Sequence, residues 1–246
     1  MGELVGIVLA AGLGTRFEDG NKLLATIGGD ADAADAASSE TDERDPLRRS
    51  DDPIVRRAAR TFAVDAVDHT IAILGHEADA VREAVAAHVD ETRRNPSYDR
   101  GQSTSVRAGA RAARDRGADA ALFLPGDMPC VDPTTVEKIV ATYRDGGGDV
   151  IVPTRDGRRG NPVLFDAALF DDLLDVSGDT GGRALFDTAD VRRVAVRDGG
   201  IHIDVDTVAD RDRLRRGQSD RAPDSGSDSD FASDSGSDSD SDGDRS

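Results

Sequence analysis

The feature that most constrains this chain is a succession of short, wholly apolar runs, each followed by a segment with helical spacing. Leu4 to Ala10 reads LVGIVLA with no polar side chain, the pattern of a strand covered on both faces. Thr70 to Leu74, Asp119 to Pro125 (DAALFLP) and Asp149 to Pro153 repeat it. Pro53 to Val64 has Ile54, Val55, Ala58, Ala59 and Phe62 at helical spacing and a proline in its first turn. Glu77 to His88 sets Ala80, Val81, Ala84, Val85 and His88 on one face. Ser103 to Arg116 leaves Arg107, Arg111 and Arg114 on an exposed face, and Thr134 to Arg144 follows Asp132-Pro133. Alternating units of this length predict an α/β fold, a mostly parallel sheet with helices on both faces.

Past Asp149 the alternation loosens. Asn161 to Phe165 reads as a short strand and Asp166 to Leu174 as a helix. Asp179 to Phe186 reads as a loop running into a helix, and Arg192 to Val196 and Ile201 to Val205 as short strands. Thr207 to Leu214 is expected to close the domain as a helix, with Thr207 as its N-cap and Asp210 three residues on. A mixed sheet with an antiparallel part is expected here, shaping the acceptor side of a pocket.

The chain has 246 residues and a formal charge of −18, enough for one full-sized domain. The charge is unevenly spread. Residues 30–52 hold nine acids against three arginines, and residues 217–246 nine against two, so these segments carry most of it. The tail repeats DSGSDSD from Asp224 and again from Asp234, which is low complexity and not a structural repeat. With little to bury, both segments are expected to be disordered, an insertion at 30–52 and a tail at 217–246 flanking a domain of residues 1–216. Lysine occurs only as Lys22 and Lys138, and this acid-rich, arginine-over-lysine composition predicts a halophilic protein that gains stability in molar KCl. The acidity argues against nucleic acid as a partner. No apolar run approaches the ~18 residues of a membrane span, and the N-terminus has no signal-like segment, so a cytoplasmic protein without membrane contact is expected. One cysteine, Cys130, excludes an internal disulfide and any cysteine-built metal site.

Three motifs carry chemistry. The first is LAAGLGTRFEDGNKLL, Leu9 to Leu24. Leu9, Ala10, Ala11, Gly12, Gly14 and Thr15 lie where successive backbone N–H groups after a buried strand can cradle phosphate oxygens. Gly12-Leu13-Gly14 could open a dinucleotide-binding G-x-G-x-x-G, but the third glycine position is Phe17 and no acid follows where such a site binds ribose. Arg16 and Lys22 instead supply the two cations that a triphosphate needs. The second motif, Leu124 to Pro129, sets Gly126 and Asp127 just past the end of a central strand. Open α/β sheets bind ligands there, and magnesium takes one or two protein carboxylates. An ordinary turn explains the same residues equally well. In the third, Ile203 to Thr207, strand alternation would point Asp204 and Asp206 to one side, an arrangement a cation relieves.

Further polar stretches could complete a site. Ser103, Thr104 and Ser105 open a helix whose free N–H groups and hydroxyls could contact a nucleotide, although N-capping explains them almost as well. Arg158 to Pro162 and Gly178 to Arg183 are glycine-containing loops with cations, suited to an anionic acceptor.

Taken in this order, the motifs resemble the nucleotidyltransferases of the molybdopterin-guanine-dinucleotide (MobA-like) type, and most of all its cytidylyl-transferring branch, molybdenum cofactor cytidylyltransferase. LAAGLGTRFEDGNKLL, GQSTSVRAG, LPGDMP, GRRGNPVLF, SGDTGGR and DVDT carry the resemblance over roughly residues 4–214. It implies a Rossmann-like three-layer fold, and transfer of a nucleoside monophosphate from an NTP, CTP first, to a phosphate-bearing acceptor such as molybdopterin, releasing pyrophosphate. It implies Mg2+ held by Asp127 with Asp204 or Asp206, and Arg16 and Lys22 against the triphosphate. Nucleotide contacts are expected from Leu9 to Thr15, Gly75, Ser103 to Ser105 and Gly126. Acceptor contacts are expected from Arg159, Gly160, Asn161, Pro162, Asp179, Gly181 and Arg183, with handover to a molybdoenzyme or its chaperone. Ala11, where guanylyl-transferring relatives tend to have glycine, favours the cytidylyl branch. The same transfer to a sugar phosphate or cobinamide phosphate, with GTP as donor, and a nucleotide-binding regulatory module are the alternatives. Gly182, Phe17, Glu18 and the 30–52 insertion depart from the family pattern.

Overall fold

The computed structural model describes residues 2–28, 52–178 and 181–216. The expected insertion, apart from Asp52, and the expected tail lie outside the described residues, as does Asp179. An eight-stranded sheet runs in the order β3-β2-β1-β4-β7-β5-β6, with β8 pairing β5. The strands are β1 Leu4–Ala10, β2 His69–Leu74, β3 Glu91–Arg94, β4 Ala120–Pro125, β5 Val150–Arg155, β6 Arg158–Arg159, β7 Val163–Asp166 and β8 Val191–Ala195. Strands β1 to β4 form a parallel block, β7 runs antiparallel to both β4 and β5, and β8 is parallel to β5. The expected α/β fold with a mostly parallel mixed sheet is therefore the observed one.

Because the strands are apolar on both faces, helices cover both. Helices α1 Ile54–Arg60, α2 Ala78–Val85 and α4 Pro133–Arg144 pack one face through Val55, Val81, Val85, Val136 and Ile139, with Phe62 just past α1, against Leu4, Val8 and Leu122. On the other face, α3 Gln102–Arg116 and α5 Phe170–Asp175 bring Val106, Ala110, Ala113, Phe170 and Leu173 against Val5, Ile7, Ile71 and Phe123. A last helix, α6 Val208–Arg215, is capped by Thr207 with the reciprocal Asp210 bond expected from sequence. Among the described residues no helix is long and apolar enough to cross a membrane.

Register decides where function can sit. Leu9 lies opposite Ile73 on one side and Pro125 on the other, so β1, β2 and β4 end level. The glycine loop, Gly75 and Gly126 leave the sheet at the same carboxyl edge. Two bonds tie these exits together: Gly126 N–H donates to the Leu9 carbonyl at 2.9 Å, and His76 N–H to that of Ala11 at 3.3 Å.

Three local readings are corrected and one strand is added. Helix α2 begins at Ala78 and ends at Val85, so Ala80 faces outward and His88 lies beyond it. Strand β3 (ETRR) is a charged edge strand that an apolar pattern cannot reveal. Helix α1 stops at Arg60, one residue before Thr61, short of the expected Val64. Ile201 to Val205 is not a ladder strand. Gly199–His202 makes a 3-10 turn capped by Asp198, and Ile203 runs on extended. Its bonds go elsewhere, with Val205 N–H donating to the Asp127 carbonyl at 2.9 Å.

Candidate active site

The glycine loop leaves β1 and turns at Gly14, where the Phe17 N–H donates to the Gly14 carbonyl at 2.9 Å. Gly14 has φ +59°, and a Cβ there would stand 3.3 Å from Lys22 Cγ, so both backbone conformation and the lysine stem favour glycine. Phe17, a departure from the family pattern, fastens the loop. Its ring is buried among Ile27, Ile54, Val205 and Leu214, and the Arg211 guanidinium lies 5.7 Å from its centroid. Truncating such a ring to alanine costs about 3–5 kcal/mol. Asn21 then caps a 3-10 turn at Lys22–Leu24, its side chain accepting from the Leu23 N–H at 3.0 Å. That turn aims Lys22 back across the edge of the sheet.

There Lys22 Nζ meets Asp127 Oδ2 at 2.6 Å and Asp206 Oδ1 at 2.8 Å, with the lysine side chain only 11% exposed. Arg16, 76% exposed, reaches the other oxygen of Asp206 at 3.0 Å. Burial is the largest single influence on Lys22 and disfavours its charge. The combined attraction of Asp127 and Asp206 outweighs it and holds the ammonium above the usual lysine range. Asp204 stands at the solvent edge of this group. Its carboxyl is pushed up, first by desolvation and then by the negative charges of Asp127 and Asp206. The sequence expectation that Asp204 and Asp206 share a side holds although no strand carries them. Val205 is fully buried between them, so an extended backbone still turns both neighbours outward.

Among the described residues, no group of three or more His, Cys, Asp or Glu is built to hold a metal ion unaided. The donor set nonetheless fits a magnesium-like ion. Asp127 and Asp206 converge on one cationic point, now the ammonium of Lys22, and such an ion needs only one or two carboxylates beside phosphate oxygens and water.

Next to Asp127 opens a cavity of about 590 Å³, lined by residues of β4, the β6–β7 turn, the Gly181–Asp187 3-10 turn, and by Asp204. Its floor is aromatic. Phe123 and Phe165 meet edge to face at 5.7 Å, Phe186 lies 6.4 Å beyond, and the Arg159 guanidinium stands 5.2 Å from the Phe186 ring. Arg158, Arg159 and Arg183 reach it from exposed positions, and none has an ion-pair partner among the described residues. Gly160, Asn161 and Gly181 also line it, and Pro162 follows a cis peptide bond beside it. Gly182 is needed here. A Cβ at that position would come within 2.7 Å of Phe165 Cζ and 3.3 Å of Leu173 Cδ2.

Sequence reasoning went astray at the start of α3. Ser103, Thr104 and Ser105 are buried, and the Asn95 amide donates to the Thr104 and Ser105 hydroxyls at 2.8 and 3.0 Å. The Ser103 N–H goes to the Gly178 carbonyl and the Thr104 N–H to that of Gly101. These groups hold the fold together, and the residue from this turn that faces the cavity is Gln102. Asn95 went unread because it lies on a segment without a motif, and the phenylalanines because in sequence they read only as apolar strand or helix positions.

An α/β sheet of this order, with cations and carboxylates gathered at its carboxyl edge, is the architecture of a nucleotidyltransferase. The chain belongs to the MobA-like NTP transferase domain family, whose model matches residues 6–194. Among curated proteins it is similar to the purine catabolism protein PucB of Bacillus subtilis (strain 168), 29% identical over 49% of this chain; the match spans only 59% of that protein. It is also similar to the nicotine blue oxidoreductase of Paenarthrobacter nicotinovorans, 27% identical over 86% of this chain and 96% of that protein. Among solved structures, Rv0371c from Mycobacterium tuberculosis H37Rv matches with a TM-score of 0.65 and 26% identity, over 87% of this chain and 98% of that one. Rv0371c has also been solved as a complex with manganese.

Proposed function

We propose that this protein moves a nucleoside monophosphate from an NTP, CTP in the first instance, to a phosphate-bearing small molecule, molybdopterin as the leading acceptor. An acceptor phosphate oxygen bonds to the α-phosphorus, the bond from that phosphorus to the β-phosphate bridging oxygen breaks, and pyrophosphate leaves. The observation that carries this reading is the meeting of Lys22, Arg16, Asp127 and Asp206 at the carboxyl edge of the sheet, beside a cavity with three arginines.

Residues 9–15 carry backbone N–H groups suited to phosphate oxygens. Lys22 and Arg16 would turn to the α- to γ-phosphates and stabilise the charge that gathers on the leaving pyrophosphate. Asp127, with Asp206 or Asp204, would hold a divalent ion, and such an ion when bound neutralises phosphate charge; the manganese complex of Rv0371c supports a metal of this kind. Arg158, Arg159 and Arg183 would draw in the acceptor anion, and the aromatic floor suits a flat ring system. Little covalent participation by the protein is required, since alignment and charge compensation carry most of the acceleration.

Hydride transfer on a dinucleotide, one chemistry that the name of an oxidoreductase relative would allow, has less support. A dinucleotide pyrophosphate sits on a helix N-terminus directly behind the glycine loop. Here residues 11–28 make turns and the short Lys22–Leu24 segment, and α1 begins at Ile54. The test is a panel of CTP, GTP, ATP and UTP against molybdopterin, sugar phosphates and cobinamide phosphate, read as pyrophosphate release. CTP with molybdopterin is expected to be fastest. Equal rates with and without any acceptor would remove the transferase reading, and a preference for another pair would reassign the substrates.

A further inference from the structure

Asp127 Oδ2 and Asp206 Oδ1, the oxygens most suited to a divalent cation, are both engaged by Lys22 Nζ, at 2.6 and 2.8 Å. The remaining Asp206 oxygen is engaged by Arg16 at 3.0 Å. The two cations assigned to the triphosphate are thus the partners of the carboxylates assigned to the metal. They cannot serve both at once. From this geometry we infer that Lys22 is an internal placeholder cation, which makes metal binding and triphosphate binding depend on each other. The inference rests on the transferase reading above for the identity of the two ligands.

The electrostatics give the coupling its sign. A divalent ion held between Asp127 and Asp206 would stand within a few ångström of the Lys22 ammonium, and that repulsion is large in a half-buried site. Lys22 must therefore leave before the ion is held tightly, and its 11% exposure offers no solvent refuge. A triphosphate supplies one. Once Lys22 and Arg16 turn to phosphate oxygens, Asp127 and Asp206 are released together and present two carboxylates to the incoming ion, which phosphate oxygens and water can complete. By linkage the converse holds: an ion that takes Asp127 and Asp206 frees Lys22 for the phosphates, so each ligand strengthens the other by the same factor. The free protein then has little affinity for a bare divalent ion. Metal and nucleotide enter as a unit, or the nucleotide enters first.

The Gly14 turn matters to this exchange. The α-carbon of Gly14 packs beside the lysine stem, where a Cβ would stand 3.3 Å from Lys22 Cγ. A side chain at that position would crowd the lysine stem that the exchange requires to move.

The test is direct Mn2+ binding to the full chain, read from the loss of the free-ion electron paramagnetic resonance signal at fixed ionic strength and without nucleotide. Wild type is expected to bind weakly. Lys22→Met removes the placeholder and should bind free Mn2+ at least about tenfold more tightly, while binding the non-transferable analogue α,β-methylene-CTP more weakly. Arg16→Met, on a side chain 76% exposed and so harmless to folding, should tighten Mn2+ by a few-fold and serves if Lys22→Met does not fold. Mn2+ affinity unchanged or lowered in the variant that folds would overturn the inference. This readout needs no turnover. If wild type releases no pyrophosphate with any acceptor, the transferase reading fails, whereas the Mn2+ comparison still decides whether Lys22 holds the cation position.

Discussion

The two walls of the cleft treat positive charge in opposite ways. On the β1 side, Lys22 and Arg16 are paired with Asp127 and Asp206 at distances of 2.6 to 3.0 Å. On the β7 side, Arg158, Arg159 and Arg183 line a cavity with no ion-pair partner among the described residues. Arginines without an acid partner also occur elsewhere on the described surface, Arg192, Arg193 and Arg197 among them, but Arg158, Arg159 and Arg183 are the ones that line the cavity. Under the proposed function the two walls are two kinds of anion site. The first would exchange its internal partners for a ligand that brings a metal. The second would be open to its ligand from the start, with ring surfaces adding shape. The first should respond to metal and nucleotide together, the second to the acceptor alone.

The most damaging change to the first wall, apart from its carboxylates, is Lys22→Met. It is expected to lower kcat/KM for the nucleotide by about 100-fold, the scale of losing one preorganised charge donor at a transition state, with KM for the acceptor unchanged. On the second wall, the pair Arg159→Ala and Arg183→Ala should raise KM for the acceptor by tens of fold, since each charged hydrogen bond contributes about 1.5–3 kcal/mol. Initial-rate kinetics varying one substrate at a time would check both. If the lysine change moved acceptor KM, or the arginine pair moved nucleotide KM, the division would be wrong. Phe17→Ala sharpens the comparison differently. It should destabilise the protein by about 3–5 kcal/mol and raise nucleotide KM roughly tenfold by loosening the turn that aims Lys22, measurable by urea unfolding and kinetics on one preparation. The smallest effect is expected from Gly182→Ala. The new methyl would press on Phe165, raising acceptor KM by about fivefold or less at a packing cost of about 1–3 kcal/mol.

How much of this was legible before the structure follows from the same contrast. The β1, β2 and β4 part of the parallel block could be read because those strands are apolar on both faces and their loops carry glycine, cation and carboxylate at fixed places. Lys22, Gly126 and Asp127 all lie at the carboxyl edge of that block. The second wall was read only in part. Its arginine and glycine loops could be named, but Phe123 and Phe186 sit in segments that read simply as core strand and helix. That Phe165 requires Gly182 is a three-dimensional fact. The antiparallel insertion of β7 between β4 and β5 cannot be deduced from periodicity, which gives strands but not their order. At the start of α3 the hydroxyls of Ser103 to Ser105 pointed to a ligand only because Asn95, the partner that takes two of them, lies in a stretch with no pattern of its own. The Asp204-Val205-Asp206 run was assigned its correct outward pair for an incomplete reason. Alternation depends on extended backbone with a buried Val205, and not on membership of the sheet.

The central claim is that the carboxylate facing Lys22 at the end of β4 carries the transfer. Asp127→Ala tests it most directly, with pyrophosphate release from CTP measured across a magnesium titration in the presence of the best acceptor from the panel, and circular dichroism to check the fold. The account predicts a folded protein whose release falls by about 1,000-fold or more and is not restored by excess metal. A folded Asp127→Ala variant that keeps most of its magnesium-dependent release would contradict it.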